Sequence, residues 1–149
     1  MKKPIKDVVF VTVQFLLFGL YVFELLPKLK LPFLVSIVGL PVAVAGFIVA
    51  LFSVFKLDQN LTVYPSPKQG SELITTGLYK YVRHPIYAGI IFFAFGFALF
   101  WSSGFKLLIS AALLLWFWLK SVYEEKKLAA RYSQYKQYQQ QTGRFIPKL

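Results

Sequence analysis

Two short stretches of this 149-residue chain carry residue types that can do chemistry. The first, Leu73 to Gly89, sets Tyr79, Tyr81, His84 and Tyr87 around the guanidinium of Arg83 and the ring of Pro85, directly before a long apolar run. The second, Tyr123-Glu124-Glu125, stands at the foot of the last apolar run. Arg83 and His84 offer donors to an anion, the paired carboxylates attract a cation, and the tyrosines supply flat walls. Adjacent acids raise each other's pKa and favour a positive charge close by, so the pair points to binding. Each group alone has a plainer reading: Arg83 and the glutamates as interfacial anchors, His84 as a structural hydrogen bonder, Tyr79 and Tyr87 as part of an aromatic belt. The expectation is that they converge on one site.

Several classes of chemistry are excluded by what the chain lacks. Without cysteine there is no thiolate nucleophile, disulfide or cysteine metal site, and a single histidine leaves little for a metal to bind. The net charge of +11 would suggest nucleic acid in a soluble protein, but here the basic residues flank apolar runs and no nucleic-acid partner is expected.

The positioning elements are membrane helices. The composition, 57% hydrophobic and only 15% charged, is that of a chain embedded in a lipid bilayer. Four apolar runs, at about 8–26, 31–55, 86–101 and 105–119, predict four transmembrane helices. The first would be roughly 28 Å long at 1.5 Å per residue, enough to cross the hydrocarbon. A signal peptide is the lesser reading, because this run is too long for an h-region, no small-x-small site follows and more spans come after. In the second run Gly39, Ala43, Gly46 and Ala50 share a face on which another helix can approach closely, and Pro41 predicts a bend. The last two runs are short, with Trp101 expected at one interface and Trp116 and Trp118 at the other.

Fourteen of the seventeen Lys and Arg residues fall in the amino terminus, the 56–85 loop and the carboxyl tail. The positive-inside rule then places both termini and that loop in the cytoplasm, on the side of both polar stretches. Past Lys120 the fourth helix is predicted to leave the membrane unbroken, since Ser121 to Gln141 holds neither Pro nor Gly, with Leu128, Tyr132, Tyr135 and Tyr138 facing the headgroups or the long loop. The fold class expected is all-α: one polytopic membrane domain over 1–149, with about four spans and a cytoplasmic C-terminal helix.

Leu-Ile-Thr-Thr-Gly-Leu-Tyr-Lys-Tyr-Val-Arg-His-Pro-Ile-Tyr-Ala-Gly, the later Glu-Glu-Lys-Lys-Leu, Tyr135-Lys136-Gln137-Tyr138 and the closing Arg144-Phe145-Ile146-Pro147 resemble the isoprenylcysteine carboxyl methyltransferase family and its phospholipid methyltransferase relatives. The resemblance covers roughly residues 56–149. It departs at Tyr132-Ser133, where the family usually has Phe-Gly, and at Gly77-Leu78, where proline often follows glycine. It implies a multi-pass enzyme that takes S-adenosylmethionine from the cytoplasm and a lipophilic acceptor from the membrane, with 56–85 and 120–149 as the cofactor-binding segments. Carried residue by residue, it implies cofactor contacts at Leu73, Ile74, Tyr79, His84, Pro85, Tyr87, Glu124 and Glu125. Arg83 or Arg144 is then expected on the acceptor. Two other readings remain at this stage: an NADPH-dependent membrane reductase of the steroid reductase kind, and a non-catalytic membrane scaffold.

Overall fold

The computed structural model describes residues 4–148. The basic opening at Lys2 and Lys3, part of the charge asymmetry, lies outside the described residues. Five α-helices form: α1 (Ile5–Val22), α2 (Phe33–Leu57), α3 (Pro85–Phe100), α4 (Gly104–Arg131) and α5 (Tyr135–Gln141), with no strand among the described residues. Three of them, α1, α2 and α4, are long and apolar enough to cross a membrane, and α3 is a shorter apolar helix. Each of the four predicted apolar runs forms a helix, three of them long enough to span, and the all-helical class holds.

Packing places α3 between α2 and α4, and α1 packs on α4 with its Tyr21 hydroxyl donating to the Ala94 carbonyl of α3 at 2.6 Å. The closest seam is α2 on α3, and it is built from glycine. A Cβ added to Gly39 would lie 2.5 Å from the Gly96 carbonyl oxygen, and one added to Gly89 would lie 2.6 Å from that of Gly46. Ala43 is buried in the same seam. The small-residue face read from the sequence therefore meets a second one on α3, and backbone approaches backbone where lipid gives no hydrophobic drive for helix association. α2 continues as one helix through Pro41. Between α3 and α4 the core is larger in grain: Ile91 and Ala94 pack against Phe105, Ile109, Leu113 and Phe117. Large apolar side chains such as Phe15, Phe47, Phe52 and Leu115 point outward, as helices in hydrocarbon require.

Two helix ends differ from the sequence reading. α1 stops at Val22 rather than near Leu26, because Phe23 turns extended and the Lys106 ammonium donates to the carbonyls of Tyr21 (2.6 Å) and Phe23 (3.1 Å). The helix expected to run unbroken to Gln141 breaks at Tyr132, whose backbone is extended and whose hydroxyl donates to the Ser71 carbonyl at 2.7 Å. The break turns α5 back, so that Tyr135 and Tyr138 are buried instead of trailing over headgroups. Trp101 and Trp118 are exposed, whereas Trp116 is half-buried and donates to the Phe10 carbonyl at 3.1 Å.

Candidate active site

The first polar stretch is shaped by two backbone devices. Gly77 takes a φ of +64°, which opens a 3₁₀ turn over Gly77–Lys80 and turns Tyr79 inward, where its hydroxyl donates to the Ser53 carbonyl at 3.3 Å. His84 then adopts a non-helical backbone as the residue before α3, and Pro85 takes the first helical position, where its missing amide is no loss.

The carboxyl tail comes back to this stretch through an isolated parallel bridge between Val82 and Gly143. Arg83 donates its amide to the Gly143 carbonyl at 2.8 Å, and His84 to the Arg144 carbonyl at 3.0 Å. In return, Gly143 donates to the Tyr81 carbonyl at 3.2 Å. Arg-His-Pro and Arg-Phe-Ile-Pro, sixty residues apart in the chain, are thereby held side by side.

Glu125 ties them to α4. It is 4% exposed and accepts from Arg83 Nε (2.9 Å), His84 Nε2 (3.1 Å), Gln139 Nε2 (2.9 Å) and Arg144 Nη2 (2.9 Å). A carboxylate can only accept, so His84 donates to it from a protonated Nε2. Arg83 Nη1 also donates to the carbonyls of Gln139 and Thr142. Both oxygens of Glu125 are thus committed within the protein. Glu124 is arranged differently: its Oε2 accepts from the Tyr87 hydroxyl at 2.9 Å and lies 3.9 Å from His84 Nδ1. The rings of His84, Tyr87 and Phe117 stack in series, with centroids 5.4 and 4.6 Å apart.

These groups flank a cavity of about 320 Å³, near the lower end of the roughly 300–1,000 Å³ typical of small-molecule sites. Of the residues singled out in the sequence, Leu73, Ile74, Tyr79, Arg83, His84, Tyr87 and Glu124 line it, while Pro85, Glu125 and Arg144 stand behind that lining. Tyr81, which the sequence offered as a further wall, is exposed. Residues that sequence reasoning left without a role in the chemistry also line it, among them Lys120, Tyr135, Tyr138 and Gln14. The signal for Tyr135 was its place on one face with Leu128 and Tyr132; for Gln14 it was a polar residue inside an apolar span.

Burial keeps the tyrosines protonated. It pushes the Tyr138 hydroxyl up to about 12 and that of Tyr79 further, where the nearby negative charge of Glu124 adds to the effect. Tyr135 is raised in the same way, by burial and then by Glu125. They therefore act as hydrogen-bond donors and not as phenolate bases. Tyr138 donates to the Tyr79 carbonyl at 2.5 Å. The Tyr135 hydroxyl is the one buried side-chain polar atom without a partner among the described residues. An orphaned donor at a cavity wall, with a carboxylate, a guanidinium and four tyrosine rings about it, suits a small ligand that is both aromatic and charged. No cluster of metal-ligating side chains occurs among the described residues.

A family model described as phospholipid methyltransferase matches residues 34–135. No curated protein matches the chain. The solved structure of a eukaryotic intramembrane Ras methyltransferase, isoprenylcysteine carboxyl methyltransferase, is similar at a TM-score of 0.70 and 23% identity, over 99% of this chain and 54% of that one. The chain thus spans about half the length of that structure, and at this identity the likeness is one of fold.

Proposed function

Because the chain belongs to the phospholipid methyltransferase family, matched over residues 34–135, we propose that this membrane methyltransferase takes its methyl group from S-adenosylmethionine and passes it to a lipid or small hydrophobic acceptor, of the isoprenylcysteine carboxylate or phospholipid amine kind. The observation that carries the reading is the cavity, where Glu124 and the ring-stacked His84 and Tyr87 share a wall with Arg83 and with the unpartnered Tyr135 hydroxyl.

The donor supplies an electrophilic methyl group on a sulfonium, together with an amino-acid tail and an adenine. Arg83, with His84 beside it and both fixed by Glu125, brings a guanidinium charge to the cavity wall that suits the tail's carboxylate. Glu124 keeps one carboxylate on the cavity wall, where it favours a cation. Tyr79 and Tyr138 form flat surfaces for a ring or for the face of a cation. Leu73 and Ile74 belong to the segment drawn across the cavity, which Tyr132 holds through the Ser71 carbonyl. Methyl transfer needs no covalent nucleophile, so the work of these residues is alignment of donor and acceptor with water kept out. Arg144 acts on the acceptor side through the tail it anchors to Glu125. The charge distribution supports a cytoplasmic opening and cytoplasmic termini.

The family match over residues 34–135 favours the methyltransferase over the reductase. Calorimetric titration of the detergent-solubilised chain with S-adenosylhomocysteine and, separately, NADPH tests the choice. Binding of the first alone is the expected result; binding of NADPH alone would assign the chain to the reductases, and binding of neither would leave a scaffold.

A further inference from the structure

Lys120 is a buried cation that the reading above does not use. It sits on α4 at 1% exposure and lines the cavity beside Gln14, Tyr87 and Glu124. Its ammonium donates to Gln14 Oε1 at 2.6 Å and to the Val63 carbonyl at 2.9 Å, and lies 5.2 Å from the centre of the Tyr87 ring. An ammonium has three protons, and here two go to neutral oxygens. Among the described residues no carboxylate forms an ion pair with it; Arg83, Arg144 and Lys127 each have one. Glu124, one turn further along the same helix, is engaged by Tyr87 instead. A lysine at the end of an apolar run ordinarily reaches for water, so a lysine drawn inward without a paired acid leaves a charge that an anion in the cavity would compensate.

The one carboxylate of S-adenosylmethionine falls to Arg83 and His84, so the anion at Lys120 belongs to a second ligand. The surroundings describe the ligand better. Val54 from α2 and Ile86 and Ile90 from α3 line the same cavity, so an apolar body can lie beside the ammonium. Gln14, 7% exposed in the middle of an apolar helix, is a second polar group at this point.

We propose that Lys120, supported by Gln14, is the acceptor-recognising residue and holds an anionic group, carboxylate or phosphate, of an amphiphile. The inference rests on the methyltransferase reading. With a carboxylate acceptor, the S–CH₃ bond breaks with its electron pair left on sulfur and an O–CH₃ bond forms. Sulfonium and carboxylate both become neutral and no proton moves. With an amino phospholipid, Lys120 holds the phosphate while the neutral amine nitrogen takes the methyl group; the positive charge passes from sulfur to nitrogen, which then releases a proton to water.

The test uses the full chain in lipid nanodiscs, with Lys120→Gln, which keeps hydrogen bonding but not charge, and Lys120→Arg, which keeps charge. Three quantities are read: S-adenosylhomocysteine affinity, direct binding of farnesylcysteine against its methyl ester, and transfer to farnesylcysteine or to phosphatidylethanolamine. Lys120→Gln is expected to weaken the anionic ligand or raise its KM by about tenfold or more, the scale of one charge-assisted hydrogen bond, while methyl ester and S-adenosylhomocysteine stay within about twofold and Lys120→Arg recovers most of the loss. A loss confined to farnesylcysteine with methyl ester product assigns a carboxylate; a loss confined to phosphatidylethanolamine with N-methyl product assigns a phosphate. Parallel losses of S-adenosylhomocysteine and acceptor, or no loss of either anionic ligand, would overturn the assignment. Failure of the wild-type chain to bind S-adenosylhomocysteine would instead defeat the methyltransferase reading, and the direct binding comparison between wild type and Lys120→Gln remains readable in that case.

Discussion

Glu124 and Glu125 are neighbours in sequence and opposites in structure, so replacing each by glutamine separates cofactor binding from architecture. Glu125 accepts four hydrogen bonds, from Arg83, His84, Gln139 and Arg144, and it is the ion-pair partner of both guanidiniums. An amide in its place keeps one oxygen and turns an NH₂ group toward two of those donors. The Arg83 side chain, 8% exposed, is then left as a buried charge without its counter-ion. Removing one member of such a pair costs on the order of 3–5 kcal/mol. Glu124 is 22% exposed at its side chain and accepts one hydrogen bond from Tyr87, which a glutamine oxygen can still accept. Glu124→Gln should therefore shift stability by less than about 1 kcal/mol. Facing the cavity, it should weaken S-adenosylmethionine by about ten- to a hundredfold, the equivalent of roughly 1.5–3 kcal/mol for a hydrogen-bonded charge. The assay pairs unfolding in detergent with calorimetric titration. Wild-type affinity in Glu124→Gln, or wild-type stability in Glu125→Gln, would refute the division of roles.

Three further outcomes follow from the same contacts. Gly46→Val places a branched side chain where even a Cβ would fall 2.6 Å from the Gly89 carbonyl oxygen; it should part α2 from α3 and destabilise by at least about 1–3 kcal/mol, read by thermal unfolding in detergent. Lys106→Met removes the ammonium that donates to the Tyr21 and Phe23 carbonyls and should lower stability by about 1–3 kcal/mol with cofactor affinity unchanged, since it lies at the end of the bundle away from the cavity. Tyr135→Phe deletes a hydroxyl without a protein partner, so stability should hold within about 0.5 kcal/mol while cofactor affinity falls by about tenfold; wild-type affinity in that variant would leave the hydroxyl without a ligand.

The sequence was informative wherever a local signal and a tertiary role coincide. Gly39, Ala43 and Gly46 announced a close helix seam by spacing alone, and the partner glycines Gly89 and Gly96 on α3 complete it. Pro85 after His84 marked the start of α3, and Gly77 the turn before it. The break at Tyr132 had no such signal, because it is imposed by a hydroxyl reaching Ser71 and by burial of Tyr135 and Tyr138, with no glycine or proline to announce it. The same holds for Lys120: a basic residue ending an apolar run reads as an interfacial anchor, and only its hydrogen bonds to Gln14 and Val63 reveal it as buried. Which of two adjacent acids faces a cavity depends on a 100° helical step whose absolute phase the sequence does not carry.

The proposed transfer of a methyl group from S-adenosylmethionine to a membrane-borne acceptor is tested most directly by incubating the purified protein in liposomes with methyl-labelled S-adenosylmethionine and a mixture of farnesylcysteine and phosphatidylethanolamine, then counting label in the organic extract. The expected result is label in a lipid product that depends on Glu124 and is suppressed by S-adenosylhomocysteine. Label that stays wholly in the aqueous phase, in a preparation that binds S-adenosylhomocysteine, would contradict the assignment of a lipophilic acceptor.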